Sequence, residues 1–231
     1  MGCSPSATDR DTPLIPGRVY GLRSWAVASR DGKDGLEAPF TGVRWPAGGN
    51  AIQACCLASA EHEPPAANCA CGIYAYHPSE ASVRELCWEL RKDSRDPTAV
   101  RAIGIVEAWG SVEVHDSGFR AEYARPYALV VLERLAKTEY GRRIEQLAGA
   151  YGTELVQVRD PEALRRHCVE RDLGLSEPAV AAVLGPDFVR RRRRTRRAGR
   201  IEQIANASLA TLLVLMLTLY VYIAVTFSIW D

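Results

Sequence analysis

The stretch that most constrains the fold of this chain lies at its C-terminal end. Residues 204–230, "IANASLATLLVLMLTLYVYIAVTFSIW", form a run of 27 residues without a charged side chain. As a helix this run would be about 40 Å long, whereas the hydrocarbon core of a bilayer is about 30 Å thick. A buried helix of a globular domain rarely contains more than about 14 apolar residues without a charge. The sequence therefore predicts one transmembrane helix over 204–230, with room for tilt.

An Arg-rich juxtamembrane segment, residues 189–203, precedes the predicted span, and only Asp231 follows it. Because positive charge next to a span stays in the cytoplasm, the main domain is expected to be cytoplasmic and the C-terminus outside. This order predicts a single-pass, tail-anchored protein of the cell membrane. The arginines of the segment are Arg190, Arg191, Arg192, Arg193, Arg194, Arg196, Arg197 and Arg200.

The same arginines have two candidate partners. The simpler one is the anionic lipid of the membrane, which attracts each arginine near its surface by about 1 kcal/mol. The alternative is a docking patch for nucleic acid or for a protein. Without these eight arginines, Glu202 and Asp231, the 29 basic and 28 acidic residues become 21 and 26, a net charge of −5. An acidic main domain argues against nucleic acid as its partner.

The rest of the chain is expected to form one domain of ordinary size. Residues 1–17 lack the charged start and apolar run of a secretory signal and are predicted to be a disordered leader. Gly2, Cys3 and Ser6 fit an acylation pattern, which would require a eukaryotic host. The three lysines among 29 basic residues, together with abundant Ala, Arg and Gly, are instead typical of a GC-rich bacterial genome, and favour an actinobacterium. Residues 18–188 remain as the cytoplasmic domain.

Turn and cap signals divide residues 18–188 into strands and helices. Asp31-Gly32 predicts a hairpin turn, and Ser79 predicts the start of a helix that stops before Pro97. Thr138 and Asp160-Pro161 predict two further helices, separated by the short strand "ELVQV". Strands come first and helices later, so we expect an α+β fold with a mainly antiparallel sheet and flanking helices, plus the C-terminal transmembrane helix.

A long hairpin is predicted within residues 99–133, with its turn at Asp116-Ser117-Gly118. On its first strand apolar Val106 and Ala108 alternate with Glu107 and Trp109. This period of two predicts a half-buried strand with the glutamate on the exposed side.

The cysteine-rich stretch "CCLASAEHEPPAANCACGIYA", residues 55–75, contains four of the seven cysteines of the chain and one of its four histidines. A reducing cytoplasm argues against structural disulfides. Thiolate and imidazole are the ligands of closed tetrahedral zinc sites, and a polar loop without a core would gain stability from such a metal. The candidate ligands are Cys55 or Cys56, His62, Cys69 and Cys71, with zinc as the favoured metal. Cys69 and Cys71 would lie on the same face if the strand that follows already includes both residues.

Two other interpretations of the stretch stay open. Free cysteine often packs as a small apolar residue, and Cys87 and Cys168 on helical faces fit that role. A reactive thiol is the second alternative, with His62 or His115 as its base. The sequence contains no Gly-rich phosphate loop, H-E-x-x-H or G-x-S-x-G pattern, so it identifies no reaction and leaves the enzyme question open.

Four motifs resemble an uncharacterised module of actinobacteria and their phages. They are "YGLRSW" (20–25), "RWP" (44–46), "HEPPAANCACGIYA" (62–75) and "GIVEAWGSVEVHDSGFRAEYA" (104–124). The resemblance spans about residues 18–175 and implies one intact domain and a bacterial host, without implying a reaction.

Together these patterns predict a tail-anchored membrane protein that presents a cytoplasmic domain to a protein partner or a regulator. A structural zinc would stabilise that domain. The alternative prediction is a thiol- or zinc-dependent enzyme, or a redox sensor, at the membrane.

Overall fold

The structure of the chain, a computed structural model, describes residues 17–59, 61–66, 69–93 and 100–185. The predicted leader, the Arg-rich segment and the predicted span at 204–230 lie outside these residues. Within the described ranges, no helix is both long enough and apolar enough to cross a membrane. The chain divides into two units between Val183 and Leu184, and the elements below belong to the first unit except for the last residue of α5.

The first unit is an α+β domain, as predicted, whose strands pair mainly antiparallel. One pairing departs from this, because β7 runs parallel to β6. The strands are β1 (Val19–Arg30), β2 (Lys33–Glu37), β3 (Ile52–Gln53), β4 (Ile73–Tyr76), β5 (Arg101–Val114), β6 (Gly118–Leu132) and β7 (Glu154–Val158). The helices are α1 (Glu80–Asp93), α2 (Glu133–Ala136), α3 (Glu139–Tyr151), α4 (Pro161–Glu170) and α5 (Glu177–Leu184).

Local signals fix most of the element boundaries. Asp31 and Gly32 both have positive φ, 52° and 70°, as a two-residue turn between β1 and β2 requires. The side chain of Thr138 accepts a hydrogen bond from the Gly141 backbone N–H at the start of α3. The side chain of Asp160 accepts one from the Ala163 N–H at the start of α4. These predicted turn and cap residues are confirmed.

Four strands close into a ring. Leu22 of β1 pairs with Tyr76 of β4 on one side and with Ile105 of β5 on the other. Both β4 and β5 also pair with β6, at its opposite edges. Two irregularities in the β5–β6 register, at Ile105/Val106 and at Trp109/Val112, accompany the curvature that such closure needs.

The interior of the ring is narrow, and Gly21 shows how narrow. A Cβ atom at this position would lie 2.7 Å from the Phe119 ring and 2.9 Å from the Ala75 Cβ. Phe119 and Ala75 are both buried. Gly21 is therefore needed because the opposite wall of the ring approaches the β1 backbone.

Helices cover both faces of the open part of the sheet. Helices α1 and α4 pack on one face, where Cys87 and Cys168 are buried among aliphatic side chains such as Ile103 and Val130. The predicted packing role of these two cysteines is confirmed. On the other face, the Tyr151 hydroxyl of α3 accepts from the Leu36 N–H at 2.9 Å and donates to the Trp45 carbonyl at 3.0 Å.

The prediction that Glu107 lies on the exposed side of β5 is wrong. Its side chain is 2% exposed and contacts Arg18 at 2.6 Å, Arg125 at 2.5 Å and the Tyr20 hydroxyl at 3.0 Å. The polar side of the strand is covered at this position by Arg18 just before β1, Tyr20 of β1 and Arg125 of β6. A carboxylate becomes stable in that position because each of its oxygens accepts hydrogen bonds.

Candidate metal centre

Four side chains of the cysteine-rich stretch meet at one point of the structure. Their ligand atoms, the thiols of Cys56, Cys69 and Cys71 and a ring nitrogen of His62, all lie within 4.8 Å of one another. The Cys56 and Cys69 sulfurs are 3.6 Å apart, and the Cys71 sulfur is 3.3 Å from His62 Nε2. These four residues are called the Cys₃His cluster below. They could hold a metal ion.

The dimensions of the cluster match a closed tetrahedral site. With zinc–sulfur bonds of about 2.3 Å, tetrahedral angles place neighbouring ligand atoms about 3.7 Å apart. The Cys56–Cys69 sulfur separation of 3.6 Å and the Cys71 sulfur to His62 Nε2 separation of 3.3 Å lie close to that value. The donor set of three soft thiolates and one imidazole is also one that zinc takes in structural sites. By distance and by chemistry, the residues fit zinc.

The loop between β3 and β4 brings the cluster together from two directions. Cys56 follows β3 closely, where the Ala54 N–H donates to the Glu122 carbonyl of β6 at 2.7 Å. Cys69 and Cys71 precede β4, which begins at Ile73.

The shared direction of Cys69 and Cys71 is thus a property of the loop rather than of strand alternation. Gly72, with φ of 118°, then turns the chain from the cluster into β4. A side chain at Gly72 would be strained by this φ and would approach Arg120 Cβ to 3.1 Å.

Cys55, the other candidate ligand, and His115, the other candidate base, lie outside the cluster. Cys55 is exposed, although it is the direct neighbour of Cys56. The structure thus separates the alternatives that the sequence left open at this pair. His115 is half-buried in the turn after β5, where its ring accepts from Arg120 Nε at 3.1 Å.

Arg120 of β6 attaches the loop between β3 and β4 to the sheet through hydrogen bonds. Its side chain is 5% exposed. Nη1 donates to the carbonyls of Cys69 and Cys71, the latter at 3.0 Å, and Nη2 donates to the Ala66 carbonyl at 3.3 Å. One buried guanidinium therefore satisfies three carbonyls of the loop.

The charge of Arg120 is balanced within the same strand pair. Nη2 also donates to the carboxylate of Glu113, the residue that faces Arg120 across the β5–β6 ladder. The His115 ring lies 3.4 Å from the same carboxylate, and the His115 carbonyl contacts His77 Nε2 at 3.1 Å. This network was not predicted: Glu113 and Arg120 lie on either side of the predicted turn, but only the β5–β6 register sets them opposite each other.

The thiols of the cluster differ in their electrostatic surroundings. Burial raises the pKa of the Cys71 thiol to about 11. Burial acts in the same direction on Cys56, but hydrogen bonds from the Ser59 and Ala58 backbone and from the Cys69 and Cys71 side chains together outweigh it and lower the pKa of that thiol. A bound cation would have to displace the proton of Cys71, as metal ions do when thiols coordinate them.

No family model, no curated protein and no solved structure matches the chain.

Proposed function

We propose that the Cys₃His cluster binds one zinc ion as a structural site that fixes the loop between β3 and β4 on the sheet. The observation that carries this proposal is the approach of all four ligand atoms to within 4.8 Å, at separations that suit tetrahedral zinc. With four protein ligands the site is closed, so the metal supplies folding energy rather than a position for substrate.

We further propose that the domain is the cytoplasmic part of a single-pass, tail-anchored membrane protein and serves to bind a partner or to regulate one. The charge-free run at 204–230 and the arginines before it support the anchor. Large apolar side chains at the surface would be available to a partner: Phe40, in the loop after β2, is 100% exposed, and Leu57 and Trp88 are mostly exposed.

The zinc site is tested by the metal content of the full chain, purified in detergent without added metal. We expect about one zinc per chain, and its loss in Cys56→Ser or Cys69→Ser. Cys55→Ser is the matched control, because it changes the adjacent cysteine outside the cluster and should retain the metal. A wild-type chain without zinc, or equal loss in Cys55→Ser and Cys56→Ser, would reject the site.

The membrane anchor is tested by alkaline extraction and protease protection of the full chain in cells. We expect the full chain to resist extraction and a chain that lacks 204–231 to be released. Protease added from outside should leave the domain intact, in agreement with the arginines at the cytoplasmic face. Extraction of the full chain would contradict the anchor while leaving the zinc proposal untouched.

The alternative function, a thiol-dependent enzyme or redox sensor, is favoured by one contact, the 3.3 Å between the Cys71 sulfur and His62 Nε2. Titration of thiols in the native full chain separates the two functions. Thiols shielded until a chelator is added support structural zinc, whereas one fast-reacting thiol in a metal-free chain supports the alternative.

A further inference from the structure

Arg23 of β1 lies on the face of the sheet opposite to α1 and α4, next to two tryptophans. Its Cζ atom is 5.1 Å from the centre of the Trp45 ring. Trp25 is two residues further along the strand, on the same face. The centres of the Trp25 and Trp45 rings are 5.4 Å apart, and the ring planes are at 88° to each other. A cation and two indoles therefore share one small region between β1 and the loop after β2.

The guanidinium of Arg23 has no carboxylate partner among the described residues. Its one hydrogen bond there goes from Nη1 to the Tyr74 carbonyl, and Nε is enclosed without an acceptor. Desolvation by burial lowers the pKa of Arg23 to about 10, as expected for a cation without a counter-charge. Other arginines of the domain with little exposure differ in this respect, since Arg120 pairs with Glu113 and Arg143 with Asp34.

The donors left over at Arg23 form a geometric pattern. With Nη1 engaged by Tyr74, the free edge of the guanidinium is the one formed by Nε–H and Nη2–H. These two parallel N–H bonds match two oxygens of one carboxylate or phosphate. The indole N–H of Trp25, on the same face, is also buried without an acceptor. Among the described residues, the two enclosed polar atoms of this region that lack a partner, Arg23 Nε and Trp25 Nε1, are both donors.

We propose that Arg23, Trp25 and Trp45 form a binding site for an oxyanion, a carboxylate or a phosphate group, held side-on by Nε and Nη2 of Arg23. A water molecule could accept one of these hydrogen bonds but would leave the charge uncompensated, whereas an oxyanion satisfies both. The half-exposed Tyr74 and Tyr76 of β4 place the site next to solvent. This site shares no ligand with the Cys₃His cluster and does not depend on zinc.

The test is titration of the full chain in detergent with sodium phosphate and, separately, with sodium acetate at constant ionic strength. Tryptophan fluorescence reports occupancy, since Trp25 and Trp45 border the site, and calorimetry provides the Kd. We expect saturable binding of at least one anion in the wild type. Arg23→Met should raise Kd by about tenfold or more, and Arg23→Lys, which keeps the charge but not the fork, should have an intermediate effect.

Arg84→Met is the matched control, because Arg84 is an exposed arginine on α1 and its removal should leave Kd unchanged. Tighter binding of acetate would assign a carboxylate, and tighter binding of phosphate would assign a phosphate group. No saturable response of the wild type to either anion would overturn the proposal, as would equal Kd values in the wild type and Arg23→Met.

Thermal unfolding gives a second, independent readout. Without anion, Arg23→Met should melt at a higher temperature than the wild type, because the substitution removes a partly buried charge that has no carboxylate partner among the described residues. Added anion should raise the melting temperature of the wild type and not that of the variant. A variant that melts lower than the anion-free wild type would also overturn the proposal, since Arg23 would then be a structural contact.

Discussion

At the scale of single residues, Arg120 links the candidate metal centre to the sheet. Arg120→Met would leave the Glu113 carboxylate and the carbonyls of Ala66, Cys69 and Cys71 without their donor. We expect the free energy of unfolding to fall by about 3 kcal/mol, as for other buried charges that lose a partner. Zinc affinity should fall by about tenfold or more, because the carbonyls next to two ligands lose their support. Urea unfolding and competition with a chromogenic chelator measure the two effects.

Arg84→Met is a suitable control for this substitution, since Arg84 and its partner Glu80 are both largely exposed. It should change stability by less than about 0.5 kcal/mol and leave zinc affinity unchanged. If Arg120→Met behaved like Arg84→Met in both measurements, Arg120 would not support the loop that contains the Cys₃His cluster.

Glu107 makes stability depend on pH. Burial raises the pKa of its carboxyl, but hydrogen bonds from Arg18, Arg125 and Tyr20 outweigh this and hold the pKa below its ordinary value. Stability from a lowered pKa is fully present above the unfolded value of about 4.3 and is lost as the pH falls through the folded pKa. Glu107→Gln should therefore be less stable than the wild type at neutral pH, and the difference should shrink below about pH 4.

The measurement is the urea midpoint of both chains from neutral pH to about pH 3. Acid release of metal affects both chains alike, so the difference between their midpoints isolates Glu107. Glu80→Gln, at a largely exposed carboxylate on α1, should follow the wild type throughout. A difference between Glu107→Gln and the wild type that stays constant with pH would contradict this account.

At the scale of elements, the closed ring of β1, β5, β6 and β4 depends on the close approach at Gly21. Gly21→Ala would bring a methyl group to within 3 Å of Phe119 and Ala75. We expect destabilisation by about 1–3 kcal/mol, measured by urea or thermal unfolding, because overpacking forces neighbours to move.

Gly149→Ala is the matched substitution of opposite expected sign. Gly149 is an exposed position of α3 with no atom within 4 Å of an added Cβ. Alanine there should stabilise the protein by about 0.5–1 kcal/mol, since it lowers the conformational entropy of the unfolded chain. Equal effects of the two substitutions would mean that the interior of the ring is not tightly packed.

Elements determined by neighbouring residues were predictable from the sequence, and those determined by distant contacts were not. Asp31-Gly32, Thr138 and Asp160 act within a few residues, so the turn and both helix starts were correct. The ring closure depends on Leu22 meeting Tyr76, more than 50 positions away, and no local pattern encodes that pairing. The burial of Glu107 has the same origin, because its partner Arg18 lies 89 positions away.

At the scale of the whole molecule, the candidate site combines a local and a non-local part. The spacing of the cysteines and His62 was enough to indicate a candidate metal site, because ligands on one loop can meet whatever the rest of the fold is. The choice of Cys56 over Cys55 was not predictable, since it depends on how the chain leaves β3 against β6. The role of Arg120 was not predictable either, because it depends on the β5–β6 register. That register places Arg120 opposite Glu113 and next to the loop.

The most direct test of the central claim is X-ray absorption at the zinc edge of the purified full chain. A closed site formed by Cys56, His62, Cys69 and Cys71 predicts three sulfur ligands at about 2.3 Å and one nitrogen at about 2.0–2.1 Å. Four sulfur ligands, or an oxygen in place of one protein ligand, would contradict the closed Cys₃His centre.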